Sequence, residues 1–313
     1  VGDMVMSQVL YKHLQQSRPG AVIDVLAPPW SAPLLERMPE VRRAVAIPVK
    51  HGELGLAKRW RLGRQLRQER YQQAIVLPNS FKSALLPVIA GIPQRTGWRG
   101  EMRYGLLNDL RLLDEQALPL MAQRFVHLGL PAGTQPVTRL MPPQLVTDEL
   151  AVKRSAEKFE LDISLPTLTL CPGAEFGASK RWPPEHFAEV ARDYLSQGWQ
   201  VLLHGSVNDA PVCAAIVDAC GTQPRCHNLA GRTTLAEAVD LLSLATAVVS
   251  NDSGLMHIAA ALQRPLVTIY GSTSPGFTPP LSEQVSLLQA DIECAPCFAR
   301  ECPLGHHRCM RDI

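Results

Sequence analysis

The sequence predicts an α/β protein built from two doubly wound domains. Three observations carry this. Short apolar strands alternate with helices of about 10 to 15 residues, loops rich in Gly, Ser and Asn follow the strands, and a proline-rich stretch separates two similar halves. Alternating strands and helices imply βαβ units, whose parallel sheets are covered on both faces.

In the first half a helix is read over residues 5–17 with no strand ahead of it, so a strand feeding that helix is expected upstream of Val1. Ala21-Val-Ile-Asp-Val-Leu26, Ala44-Val-Ala-Ile47 and Gln73-Ala-Ile-Val-Leu77 read as strands, with helices near 31–37 and 57–70 between them. The stretch from Pro131 to Pro166 carries five prolines, which interrupt regular structure and mark a linker. Domains are therefore expected at 1–145 and 146–313.

The second half is more regular. Thr167-Leu-Thr-Leu-Cys171, Trp199-Gln-Val-Leu-Leu-His204, Ala247-Val-Val249 and Leu266-Val-Thr-Ile-Tyr270 are the expected strands. Helices are expected at 184–196, 209–219 and 234–244, and another opens at Ser253. In the third of these, Leu235, Ala238, Val239, Leu241 and Leu242 form a broad apolar face.

The 313 residues suffice for two domains with separate cores, and 46% hydrophobic against 19% charged residues disfavours disorder, collagen and coiled coil. The net charge of +2 conceals an asymmetry. Residues 1–150 hold 19 Lys and Arg against 12 Asp and Glu, or +7, whereas the remainder holds 12 against 17, or −5. The first half is thus suited to an anionic partner, although chance asymmetry on solvated faces gives the same count. The longest apolar run, residues 83–94, is broken by Pro87 and Pro93 and is too short to span a bilayer. The expectation is a soluble, cytoplasmic chain without a signal peptide.

Dinucleotide, P-loop, zincin and nucleophile-elbow motifs are all missing, which weighs against NAD-dependent dehydrogenases, P-loop enzymes and α/β-hydrolases. Three other loops follow predicted strands. Ser250-Asn-Asp-Ser-Gly-Leu-Met-His257 opens a helix: Asp252 or Ser253 can cap it, and Gly254 lets a ligand approach free N–H groups suited to a diphosphate. Asp252 itself suits a sugar hydroxyl, and a plain cap with His257 packed in the helix is the competing reading. Cys171-Pro-Gly-Ala-Glu-Phe-Gly-Ala-Ser-Lys-Arg-Trp-Pro183 presents Lys180 to a phosphate, or simply to water. His204-Gly-Ser-Val-Asn-Asp209, with Gly205 and Ser206, is the third.

In the first half, Gly2-Asp3 sits at a helix start, where Asp3 is a cap or a general base. Lys82, Arg99 and Arg103 follow expected strand ends and are the better anion-site candidates. Lys58, Arg61, Arg64, Arg67 and Arg70 recur every third residue, a spacing that drifts about 60° per step around a helix. They are expected to fan out as solvated surface.

Cys171, Cys213, Cys220 and Cys226 lie in apolar segments and read as core residues. Cys294, Cys297, Cys302 and Cys309 form a tail cluster with His306 and His307, for which a metal site, reduced thiols and disulfides all remain open.

The motifs Pro78-Asn-Ser-Phe-Lys-Ser-Ala-Leu, Gly97-Trp-Arg-Gly-Glu-Met-Arg-Tyr-Gly-Leu-Leu-Asn-Asp, Pro172-Gly-Ala-Glu-Phe-Gly and Asn251-Asp-Ser-Gly-Leu-Met-His resemble glycosyltransferase family nine, the ADP-heptose:lipopolysaccharide heptosyltransferases, along essentially the whole chain. Within that family the likeness is to enzymes adding the second heptose. The resemblance implies a GT-B architecture: two Rossmann-like domains facing across a cleft, acceptor on the N-terminal one and nucleotide sugar on the C-terminal one. It also implies inverting transfer of L-glycero-D-manno-heptose from ADP-heptose to the first heptose of the lipopolysaccharide inner core.

Carried over by motif, Asp3 would be the base, Lys180 would hold the diphosphate, and Asp252, Ser253, Gly254, His257, Gly205 and Ser206 would line the donor pocket. Lys82, Arg99 and Arg103 would meet the acidic acceptor, a heptosylated Kdo-lipid A. No cofactor is required for this chemistry, and a divalent cation stays open. Peripheral contact with the inner face of the inner membrane is implied, and no nucleic acid partner. The family's first strand would precede Val1, and a helical tail would follow Ile313. The heptosyltransferase of the preceding step, a nucleotide-sugar epimerase of the same fold and a binding module organised by metal at the cysteine tail are the alternatives.

Overall fold

The computed structural model describes residues 1–49, 52–221 and 223–313. Two compact units divide it: Ser7–Met141, and Pro142–Ile313 together with Val1–Met6. The division thus lies at 141/142, and the first six residues group with the C-terminal unit.

The unit Ser7–Met141 takes most of α1 (Gly2–Ser17), then β1 (Ile23–Ala27), α2 (Ala32–Leu35), β2 (Val41–Ala46), α3 (Leu56–Leu66), β3 (Gln73–Val76), α4 (Phe81–Ile89), β4 (Gln94–Trp98), β5 (Asp109–Arg111) and α5 (Met121–Gly129). Strands β1 and β2 pair in parallel, and β3, β4 and β5 form a second parallel sheet in that order. Helix α1 buries Val9, Leu10, Tyr11 and Leu14. Gly129 of α5 passes close to it: a Cβ there would stand 2.6 Å from the Leu10 side chain. The helix expected at 57–70 ends at Leu66 and tightens into a 3₁₀ turn at Arg67–Glu69, closed by Arg70 at φ 53°.

The unit containing Pro142–Ile313 runs α6 (Glu149–Lys158), β6 (Thr167–Cys171), α7 (Pro184–Ser196), β7 (Gln200–Leu203), α8 (Ala210–Ala219), β8 (Cys226–Asn228), α9 (Leu235–Leu242), β9 (Ala247–Asn251), α10 (Gly254–Ala261), β10 (Leu266–Tyr270), β11 (Val285–Gln289) and α11 (Arg308–Arg311). The proline-rich stretch read as linker holds α6, because Asp148 caps it by accepting the Leu150 N–H at 3.0 Å. All six strands are parallel, in the order β11-β10-β9-β6-β7-β8. The sequence therefore runs outward from β6 to one edge, returns, and runs outward from β9 to the other. That reversal places a switch point between β6 and β9, which pair from Leu168 with Ala247 to Cys171 with Ser250. Leu168, Leu170, Val201 and Leu203 pack with Phe187, Ala191, Cys213 and Ile216 in the core over one sheet face. Leu202 and Leu241 pack with Phe159 and Leu161 in another cluster.

Candidate functional site

In an open parallel sheet, ligands bind beyond the carboxyl ends of the strands at the point where strand order reverses. Here the two flanking strands deliver Pro172–Lys180 after β6 and Asp252–Gly254 after β9. Asn251 ties them together: its Nδ2 donates to the Pro172 carbonyl at 2.7 Å, and its Oδ1 accepts the Trp182 N–H at 3.1 Å.

Lys180 and Asp252 meet across this point, Nζ to Oδ2 at 2.6 Å, with side chains 13% and 6% exposed. The same carboxylate oxygen accepts the Thr273 hydroxyl at 2.6 Å. The ammonium also lies 4.9 Å from the Phe176 ring centroid. Lys180 is thus a cation held in place by a hydroxyl-fixed carboxylate and an aromatic face. Sequence reasoning missed Thr273 and the stapling by Asn251. The available signal for Thr273 was its place just after β10, at the same rim as the other loops.

The start of α1 abuts the start of α10. A Cβ at Gly2 would stand 2.7 Å from His257 Cδ2, and one at Gly254 would stand 2.6 Å from Val1 Cβ. Only glycines allow these two helix ends to approach so closely. Asp3 is exposed in the first turn of α1, next in sequence to the Gly2 that stands against His257. Ser253 occupies the N-cap position of α10 without a capping side-chain bond, its hydroxyl 3.4 Å from that of Ser250. His257 is buried, and burial lowers its pKa to about 4, so it is neutral near pH 7.

The third loop serves a different partner. The Ser206 N–H and hydroxyl both donate to Asp209 Oδ2, at 2.9 and 2.7 Å. Gly173 and Gly205 press on the same carboxylate residue, since a Cβ on either would stand 2.3 and 2.7 Å from Asp209 side-chain atoms. Asp209 therefore closes the loop after β7 on itself and packs against Gly173 in the loop after β6. His204, at the end of β7, is fully buried with both ring nitrogens unpartnered among the described residues, and burial lowers its pKa to about 4.

The basic trio expected at one anion site divides. Lys82 is half-buried and Arg99 exposed, but Arg103 lies inside. Its Nη1 donates to the Pro78 carbonyl at 2.6 Å, and its Nη2 donates to Asn79 Oδ1 at 3.2 Å and to the Trp98 carbonyl. The guanidinium is spent on closing the loops after β3 and β4, and burial lowers its pKa. Its place in the fold is that of a scaffold for those loops.

All eight cysteines are free thiols. Among the described residues, no group of three or more His, Cys, Asp or Glu is arranged to hold a metal ion. Cys294, Cys297 and Cys302 nevertheless lie within electrostatic range of Cys309, whose pKa is raised first by burial and then by these three thiols. Cys302 lies wrapped in backbone N–H groups from His307, Leu304, Gly305 and His306, which lower its pKa. Cys309 is buried with Ile269 and Met310, and Cys294 Sγ lies 3.9 Å from His306 Nε2. No helix among the described residues is long and apolar enough to cross a membrane.

A parallel sheet of this order, with a held lysine and glycine-bearing loops at its switch point, defines a nucleotide-binding α/β protein. Comparison with known proteins narrows the class. The profile of glycosyltransferase family 9 (heptosyltransferase) matches residues 59–308. The chain is 48% identical to lipopolysaccharide heptosyltransferase 2 of Escherichia coli K12 over 100% of its own length and 92% of that protein. It is 49% identical to lipooligosaccharide heptosyltransferase 2 of Haemophilus influenzae, over 100% of the chain and 93% of the relative. The solved structure of E. coli ADP-heptose lps heptosyltransferase II superposes with a TM-score of 0.86 at 49% identity, covering 92% of this chain and 87% of that one. The chain belongs to glycosyltransferase family 9, the heptosyltransferases, and has the GT-B fold.

Proposed function

We propose that the chain transfers heptose from ADP-heptose to the first heptose of the lipopolysaccharide inner core, inverting the anomeric carbon. In this reading the acceptor hydroxyl oxygen bonds to the anomeric carbon while the bond to the β-phosphate oxygen breaks. ADP leaves with the electron pair, and the hydroxyl proton passes to Asp3. Lys180 meets the charge gathering on the diphosphate, assisted by free N–H groups at the start of α10. Gly205, Ser206 and Ser253 in their loops, with Gly254 and His257 in the first turn of α10, surround the donor, and Lys82 and Arg99 face the anionic acceptor, a heptosylated Kdo-lipid A. The N-terminal domain is read as the acceptor side and the C-terminal domain as the donor side. The work is done at the cytoplasmic face of the inner membrane, in peripheral contact with it.

The observation that best supports the reading is the glycine-mediated approach of α1, which bears Asp3 in its first turn, to the start of α10, which follows Asp252. Asp3→Asn tests it. Transfer should fall by a factor of 100 to 10,000, roughly the worth of a general base, while ADP affinity stays within about twofold. Equal loss of ADP binding would remove Asp3 from the base role.

A further inference from the structure

The run of basic residues at 58–70 does more than fan into solvent. Helix α3 turns Leu62, Gly63 and Leu66 inward; Gly63 packs so closely on α4 that a Cβ would stand 2.6 Å from Ile89 Cγ2. Arg59 is buried too, its Nε donating to the Leu54 carbonyl at 2.7 Å, which holds the approach to the helix. The outward face carries the opposite pattern. Leu56 and Trp60, 55% and 58% exposed, line a shallow cavity of about 900 Å³ with Arg61, Arg64 and Ile89. Residues 56, 60 and 64 fall at i, i+4 and i+8, on one helical stripe. Because the helix ends at Leu66 and the 3₁₀ turn follows, Arg67 and Arg70 curl back beside Arg64. These three guanidinium groups line an adjoining cavity of about 460 Å³.

The acidic residues nearby are engaged elsewhere. Glu53 pairs with Lys58 at 2.8 Å, and Glu69 pairs with Arg43 at 3.1 Å and Arg42 at 3.4 Å. Among the described residues, no ion pair reaches Arg61, Arg64, Arg67 or Arg70. The surface is therefore an exposed indole and leucine bordered by guanidinium groups without acidic partners among the described residues, one of which, Arg67, donates to the Ile89 carbonyl at 3.3 Å. That combination matches the bilayer interface, where tryptophan settles at headgroup depth and arginine meets lipid phosphate.

We propose that the outward face of α3, with the turn that follows it, is the surface by which this domain rests on an anionic lipid bilayer. The inference rests on the reading that the acceptor is a lipid-anchored saccharide, and it names the contact that such an acceptor requires. Leu56 and Trp60 enter the interface while Arg61, Arg64, Arg67 and Arg70 engage lipid phosphates.

The test is co-sedimentation of the full chain with phosphatidylcholine vesicles, with and without phosphatidylglycerol. Binding should require phosphatidylglycerol and weaken with salt. Each arginine removed should lower the partition coefficient about fivefold, so Arg64→Gln with Arg70→Gln lowers it roughly 25-fold. Trp60→Phe should remove a blue shift of tryptophan emission on vesicle binding. Both variants should keep the wild-type melting temperature and transfer normally to a soluble, delipidated acceptor. Unchanged partition of the arginine variant, competition by inorganic phosphate as strong as that by vesicles, or lost transfer to the soluble acceptor would each overturn the proposal. Phosphatidylglycerol-dependent binding by a wild-type protein that transfers no heptose would support the surface and sink the transferase reading.

Discussion

Replacing Lys180 with Met probes the held cation at the switch point. The side chain keeps its length and apolar stem but loses the ammonium that faces Asp252 at 2.6 Å. Both partners are largely shielded from water, so Asp252 is left as a buried carboxylate that, among the described residues, keeps the Thr273 hydroxyl at 2.6 Å. Breaking a buried pair from one side costs about 3 to 5 kcal/mol, and the remaining hydroxyl bond favours the lower end. For a domain of this size about 3 kcal/mol corresponds to a drop in melting temperature of roughly 6 to 12 °C. Asp252→Asn together with Lys180→Met removes both charges, so the double variant should melt well above the sum of the single effects. ADP binding follows a different pattern. It should weaken about 10- to 100-fold in Lys180→Met and stay weak in the double variant, since a charge-assisted contact is worth about 1.5 to 3 kcal/mol. Calorimetric melting and ADP titration of the four proteins complete the cycle. Additive melting shifts within about 0.5 kcal/mol, or unchanged ADP affinity, would refute the reasoning.

His204 and His257 are neutral by burial, with pKa values lowered to about 4. The unfolded chain binds their protons near pH 6.5, so their stabilising share is present above that pH and is lost as pH falls toward 4. Each contributes a slope of up to about 1.4 kcal/mol per pH unit in that window. His204→Met should flatten the dependence of urea midpoint on pH between 6.5 and 4, and an unchanged slope would contradict the assignment. Arg103→Met should destabilise the protein by about 1.5 to 3 kcal/mol, because its guanidinium closes two loops. Arg99→Ala should leave stability within about 0.5 kcal/mol and raise the acceptor KM in a salt-dependent way. Similar melting of the two variants would contradict that division.

The inner strands of the C-terminal sheet were legible because they are largely apolar and buried. Thr167–Cys171 and Leu266–Tyr270 are seen where the residues alone put them, and both are buried. Edge and mixed strands were not legible. Val285–Gln289 forms β11 with mostly exposed side chains, so no apolar contrast announces it, and Gln94–Trp98 forms β4 from a run containing Arg and Gly. Loop chemistry was visible as residue type without direction. Lys180 and Asp252 could be named, but their pairing depends on β6 and β9 becoming neighbours, a long-range fact of strand order. The same limit applied to Arg103, whose charge suggested a ligand while its burial gives it carbonyls. Lys58, Arg61, Arg64, Arg67 and Arg70 are exposed, as their spacing implied; what the spacing did not show is the stop at Leu66, after which Arg67 and Arg70 line one cavity with Arg64.

The most direct measurement of the account is heptose transfer from ADP-heptose to inner-core acceptors carrying no, one or two heptoses. Selective use of the one-heptose acceptor, with release of one ADP per sugar transferred, is the predicted result. Preference for the heptose-free acceptor, or isomerisation of ADP-heptose without any acceptor, would contradict it.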